Sequence, residues 1–252
     1  MARKALKRGK ARRPTWGSAV GRFLRGLFVA AVLIALAVPP LTVLVYRFIP
    51  PPVTILMIER SFQGHGIDHR WRPLAQISPD MVTAAIASED ARFCSHNGFD
   101  FQAIDKAIVH DERHKARLRG GSTISQQTAK NVFLWPGRSW VRKGVEAWFT
   151  VLIEQMWGKR RIMEVYLNTV EMGPGVYGVE AASKRYFHTD AADLTPAEAA
   201  RLVAVLPDPL KWSAKDPGPY VRRRTAKVDA RAGVVDDRGL ADCVFGKAES
   251  KE

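Results

Sequence analysis

Four residues set the first chemical question. Val82, Ala85, Ile86 and Glu89 follow an i, i+3, i+4, i+7 series, so the Glu89 carboxylate shares the apolar face of a helix and stands at its C-terminal end. Burial and the negative end of the helix dipole both disfavour an anion there, which suits a group exchanging protons near neutral pH. On spacing alone, a helix-end glutamate turned to water fits equally well. Thr123, Gln127 and Lys130 form a second series, i, i+4 and i+7, just after Gly120-Gly121. A hydroxyl, an amide and an ammonium on one face beside free helix N–H groups would make a phosphate-binding surface. The alternative is a solvated helix face. Arg142 and Glu146 are four apart, which by itself is an ordinary surface ion pair. No Walker-type GKS follows the glycines, so nucleotide hydrolysis is poorly supported.

These groups need helices to hold them. Ser78-Pro79 starts one through DMVTAAIASED, a second begins near Gly121-Ser122, and a third starts at Ser139. The third carries an apolar stripe of Val141, Val145, Trp148, Phe149, Leu152 and Met156. A fourth covers about Lys159 to Thr169, and a fifth opens with the capping box Thr195-Pro196-Ala197-Glu198. The segment 53–62, VTILMIERSF, is expected to be a short strand or extended connector, and 173–178, GPGVYG, a glycine-rich loop. Segment 110–119, HDERHKARLR, has the charge density of a mobile loop.

Composition places these helices beyond a membrane. The chain has 252 residues, a net charge of +14 and 46% hydrophobic residues, enough for one sizeable core. Nine of its 39 basic residues lie in the first 25 positions, leaving 30 against 25 acidic residues. The basic balance therefore belongs mainly to a leader and does not argue for nucleic acid. Residues 26–46 form an uncharged run of 21, about the length needed to span a bilayer. The positive-inside rule then leaves 1–25 as a cytoplasmic tail, 26–46 as a transmembrane helix and 47–252 as an external domain. The competing reading is a cleaved signal peptide, because Ala35-Leu36-Ala37 fits the A-x-A pattern. Its basic leader would be long, and the apolar run continues past Pro39-Pro40, where a kink is tolerable. Cys94 and Cys243 match no metal or redox motif, and nothing in the sequence shows that they meet.

Taken together, Glu89, Asp90, Phe93, His96 and Gly98 (E-D-x-x-F-x-x-H-x-G), residues 120–131 (G-G-S-T-x-x-Q-Q-x-x-K-N) and residues 142–146 (R-K-x-x-E) resemble successive motifs of the peptidoglycan glycosyltransferases. Ile162-x-Glu164-x-Tyr166-Leu167-Asn168 and Tyr177 to Ala182, with Tyr186-Phe187, follow in order. The resemblance covers Arg60 to Ser213, departs at Ser125 and Thr128, and weakens in the tail after Pro217. It implies a mainly α, lysozyme-like fold with a small membrane-associated lobe. It also implies an enzyme that polymerises glycan from lipid II into β-1,4 bonds with inversion, releasing undecaprenyl diphosphate. The implied base is Glu89. Lys130 and Arg142 neutralise the diphosphate, and Glu146 orients Arg142, helps hold a metal, or acts as an acid, in that order of preference. Asp90, Phe93, His96, Thr123, Gln127 and Asn131 are the implied supporting and substrate-binding residues, and a divalent cation, Mg or Mn, is implied by the resemblance alone. The implied partners are lipid II, the growing glycan strand, the inner membrane and other cell-division or wall-synthesis proteins. With no S-x-x-K in the chain, peptide cross-linking is not expected. The competing function is a lytic enzyme cutting the same glycan, which would leave the cationic stripe without an anion to neutralise. A non-catalytic wall-binding protein is the remaining alternative.

Overall fold

The structure, a computed structural model, describes residues 16–103, 105, 121–137 and 139–246. The expected tail up to residue 15, the charged segment 110–119 and Gly120 lie outside these residues.

The chain divides into two units, one up to Thr42 and one from Val43 onward. The first is most of helix α1 (Trp16–Phe48). Its apolar stretch, Val20–Phe48, is 29 residues long and almost wholly exposed, with Phe23 and Phe28 bare. At 1.5 Å per residue this exceeds the roughly 30 Å of a bilayer's hydrocarbon, so the helix fits a single-pass membrane anchor. It runs through Pro39 and Pro40, and is longer at both ends than the expected 26–46. The Thr42 hydroxyl donates to the Pro39 carbonyl at 2.8 Å, the kind of side-chain bond that eases proline into a membrane helix.

The second unit is mainly α-helical. Helix α2 (Ile55–Phe62) replaces the strand or connector expected there. Thr54 caps it by accepting from Met57 N, and the β-branched residues that suggested a strand, Val53, Ile55 and Ile58, are exposed rather than packed in a sheet. Strand β1 (Asp68–His69) pairs in parallel with β3 (Val176–Tyr177), which pairs antiparallel with β2 (Glu171–Gly173). The expected glycine loop at 173–178 is thus largely a tight hairpin.

Helix α3 (Pro79–Glu89) is the centre of the domain. Ser78 caps its start by accepting from Asp80 N, and every residue from Met81 to Ala87 is buried. The helix is therefore apolar all round, not one-sided as its spacing suggested. Ala84, Ala85 and Ala87 leave room for close neighbours: α8 (Pro196–Val205), itself rich in buried alanine, and α9 (Pro219–Asp237). Burial of Met81 and Ile86 contributes about 1.5–3 kcal/mol each.

Around this core stand α4 (Ile124–Phe133), α5 (Trp140–Met156), α6 (Lys159–Thr169), α7 (Val179–Phe187) and the short α10 (Asp242–Phe245). The caps at Ser139 and Thr195 and the bounds of α6 match expectation. The stripe expected to bury α5 does so in part: Phe149 is buried and Val145, Leu152 and Met156 pack against the core, whereas Val141 and Trp148 are exposed and Glu146, Thr150 and Ile153 are buried in addition. The inner face carries an aromatic cluster, with Phe133 and Phe149 stacked at 4.4 Å. Trp157 donates to Val43 O at 2.7 Å and Arg161 to Tyr46 O at 2.8 Å, which occupies carbonyls in the last turns of α1. Cys94 and Cys243 form a disulfide with a Cα–Cα distance of 5.6 Å.

Candidate active site

Glu89 ends α3 with its side chain only 14% exposed. Three donors hold it. Ser88 Oγ donates to Oε1 at 2.9 Å, Gln127 Nε2 to Oε2 at 3.2 Å, and Arg224 Nη2 to Oε1 at 3.3 Å. The orientation of Gln127 is set from behind by Tyr166, whose hydroxyl donates to Gln127 Oε1 at 3.4 Å. Burial, and then the nearby charges of Glu89 and Asp90, push the Tyr166 phenol well above its ordinary value. It therefore stays a donor, which turns the amide nitrogen of Gln127 toward Glu89.

Asp90 is buried and fully engaged. One oxygen lies 2.9 Å from His96 Nε2 and the other accepts the backbone N–H of Ile124 at 3.0 Å. Thr123 Oγ1 donates to Gly98 O at 2.6 Å and accepts from Gln126 N, while the Gln126 side chain caps Thr123 N. The N-terminus of α4, expected to be open to a phosphate, is thus closed by a carboxylate and a capping box. Phe93 is wholly buried under Lys159, whose ammonium lies 4.5 Å from the ring centroid, and His96 is nearly buried. Asp90, Phe93, His96 and Thr123 therefore support the loop after Glu89, and Asp90 and Thr123 also line the cavity into which Glu89 opens. Gly98 closes that loop at φ +89, where a Cβ would stand 2.8 Å from Thr150 Cγ2.

The other end of the site is cationic. Lys130 is exposed on α4, yet enough protein surrounds it that desolvation lowers its pKa. Glu146 opposes this, Arg142 and Lys143 add to it, and Glu89 opposes it more weakly, so Lys130 lies within the fields of both carboxylates. Glu146 is buried, with Arg142 Nη1 at 3.5 Å and Lys143 Nζ bonded to its other oxygen. Arg142 Nε is buried without a partner among the described residues. Asn131 is buried beside Lys130 on the same helix.

Among the described residues, the donor set does not suit a divalent cation. Ligand atoms of Asp90, His96 and Asp100 lie within 4.8 Å of one another, but all are occupied. Asp100 accepts from Arg92 on both oxygens and from Ala103 N, and the Arg92 bond holds its carboxyl below the ordinary value against desolvation. Glu146 already carries two cations.

Four of these groups, Ser88, Lys143, Tyr166 and Arg224, were missed in the sequence. Lys143 was legible within the R-K-x-x-E pattern, and Tyr166 within the later motif. Arg224 lies in the tail after Pro217, among three consecutive arginines that carry no local signal. The remaining motif residues form a clasp on the segment before α3. Asn168 exchanges hydrogen bonds with the Arg72 backbone, Glu164 accepts Leu74 N, and Glu180 accepts Arg72 Nη2 and Ala191 N.

A central buried helix that delivers a carboxylate within the field of Lys130 suits a glycosyl-transferring enzyme. The family model described as Transglycosylase matches residues 57–233, and the chain belongs to that family. Relatives described as biosynthetic peptidoglycan transglycosylase include one from Caulobacter vibrioides, 59% identical over 228 residues, covering 90% of this chain and 99% of that relative. One from Rhodospirillum centenum is 52% identical over 233 residues, covering 92% and 100%. One from Pseudomonas aeruginosa is 51% identical over 205 residues, covering 79% and 85%. The protein is a peptidoglycan transglycosylase, an enzyme of cell-wall synthesis.

Proposed function

We propose that this enzyme polymerises glycan from lipid II on the periplasmic face of the inner membrane, by a single displacement with inversion that releases undecaprenyl diphosphate. The observation that carries this reading is the division of the site, with Glu89 held by three donors at one end and Lys130, Arg142 and Lys143 gathered about Glu146 at the other. Glu89 takes the proton of the acceptor 4-hydroxyl as its oxygen forms the bond to the donor's anomeric carbon. The bond from that carbon to the diphosphate breaks, and the cations take up the charge on the leaving group. A diphosphate needs neutralisation more than protonation. Glu146, flanked by two cations, serves to orient Arg142 and Lys143 and does not donate a proton.

Nine cations among residues 1–25, ahead of the apolar helix, support a cytoplasmic N-terminus, and the Cys94–Cys243 disulfide supports an oxidising compartment for the domain. Exposed apolar side chains on α2 (Ile55, Ile58, Phe62) and α5 (Trp140, Val141, Trp148) would rest against lipid as the membrane-associated lobe. The chain contains no S-x-x-K, in keeping with glycan polymerisation without peptide cross-linking. Incubating the detergent-solubilised protein with labelled lipid II tests the reading: lengthened glycan with release of the lipid diphosphate is expected. Shortened glycan from preformed strands, or no product, would contradict it.

A further inference from the structure

One pattern occurs three times along α9. Val221-x-x-Arg224-Thr225, Val228-x-x-Arg231-Ala232 and Val235-x-x-Arg238-Gly239 follow one another at seven-residue spacing. The valines are the buried seam by which α9 packs on α3 and α8. A seven-residue step turns a straight helix by only about 20°, so the arginines form a row along one edge of that seam, about 10.5 Å apart. The row begins at the candidate base, where Arg224 donates to Ser88 and Glu89, and ends at Arg238, the C-cap. Arg231 is its middle member. Helical side chains lean toward the N-terminus, and Arg231 reaches back to line the cavity into which Glu89 opens.

That cavity holds about 300 Å³, and its walls include Glu89, Arg92, Asp100, Gln102, Thr123 and Arg231. Gln127, Lys130, Arg142 and Glu146 do not line it, so it is distinct from the cationic end of the site. A single displacement sets the attacking oxygen opposite the leaving group. With the leaving diphosphate at the cations, the acceptor sugar takes the cavity on the Glu89 side. The charges around it are already paired, with one exception. Arg92 bonds to both oxygens of Asp100 and to Gln102, and Glu89 and Asp90 hold the partners described above. Arg231 is exposed and has no hydrogen-bond or ion-pair partner among the described residues, which leaves its fork of N–H donors to a ligand. Helix α9 packs chiefly on α3 and α8 rather than on α2 or α5, the helices that carry the apolar surface. The acceptor's lipid-linked diphosphate stays with that surface, whereas the peptide on its muramyl sugar can extend away from it.

We propose that Arg231 is a specificity residue that binds a carboxylate of the peptide borne by the acceptor, so that the enzyme reads an acidic peptide together with the sugar. The proposal rests on Glu89 being the base and lipid II the acceptor.

The test measures kcat and KM of the full chain in detergent with two substrates: lipid II, and lipid II whose peptide carboxylates are all converted to amides. A guanidinium–carboxylate pair open to water on one side supports a modest effect, so Arg231→Gln should raise KM for lipid II about fivefold and leave kcat within about twofold. The parent should show the same rise on the amidated substrate, and Arg231→Gln should add nothing there. Arg231→Lys, which keeps the charge but not the fork, should lie between the two. Arg238→Gln, in the same row but outside the cavity, should match the parent. An unchanged KM for lipid II in Arg231→Gln, an equal rise on both substrates, which would assign the contact to the diphosphate, or an equal rise in Arg238→Gln would overturn the proposal. Glu89→Gln, assayed alongside, keeps the two ideas apart. Full activity there rejects the base assignment and this proposal with it, whereas an unchanged KM in Arg231→Gln beside an inactive Glu89→Gln rejects the peptide contact alone.

Discussion

The carboxylate of Asp90 accepts the backbone N–H of Ile124 at 3.0 Å, joining the end of α3 to the first turn of α4. This bond, with the 2.9 Å contact to His96, fixes the register between the helix that ends in Glu89 and the helix that carries Gln127 and Lys130. Asp90→Ala removes a buried charged acceptor and leaves the Ile124 N–H unpaired, which costs roughly 1.5–3 kcal/mol. For a domain of this size that is a fall of about 3–12 °C in Tm. Thermal unfolding followed by circular dichroism measures it, and an unchanged Tm would show that water replaces the carboxylate without cost.

That contact also shows where sequence reading stops. Local patterns marked the helices well: the bounds of α6, the capping box Thr195–Glu198 and the cap Ser139 depend on residues within one turn of each other. The segment 53–62 misled because its β-branched residues outweighed a capping box whose third member is Met57 rather than Glu or Gln. The α4 N-terminus looked open because the group closing it, Asp90, is 34 residues away in sequence. Arg224, 135 residues from Glu89, and the Cys94–Cys243 pair were invisible for the same reason. Burial of Glu89 was legible, but its source was not: α3 is enclosed by α8 and α9 rather than by one apolar face.

The alkaline limit of activity should be set by Lys130. Desolvation first, then Arg142 and Lys143, hold its pKa below the ordinary 10.5 against the opposing pull of Glu146 and Glu89. The ammonium is the form that can neutralise a diphosphate, so activity is retained below this lowered pKa and lost as pH rises through it. The alkaline limb of kcat/KM should therefore fall below pH 10.5, and Lys130→Arg, which stays charged, should move it upward. A limb that does not move in the Lys130→Arg variant would assign it to another group.

Glu146→Gln removes the charge that raises the Lys130 pKa most. The alkaline limb of this variant should shift to lower pH than in the parent, and Arg142 and Lys143 lose the carboxylate that holds them. The rate loss at pH 7 should be smaller than for Glu89→Gln, because charge placement is weakened while proton transfer is intact. A pH–rate profile with an unmoved alkaline limb and a deeper loss than that of Glu89→Gln would make Glu146 the proton-transfer residue.

Glu89 is the proposed group that takes the acceptor's proton. Glu89→Gln keeps the size of the side chain and a carbonyl oxygen able to accept from Gln127 or Arg224, yet it cannot take a proton. The direct measurement is the steady-state rate of lipid II polymerisation by this variant, with lipid II binding measured in parallel. The expected result is a fall in kcat of roughly 10²- to 10⁴-fold with binding preserved. Polymerisation at the parent rate, with lipid II bound equally well, would contradict it.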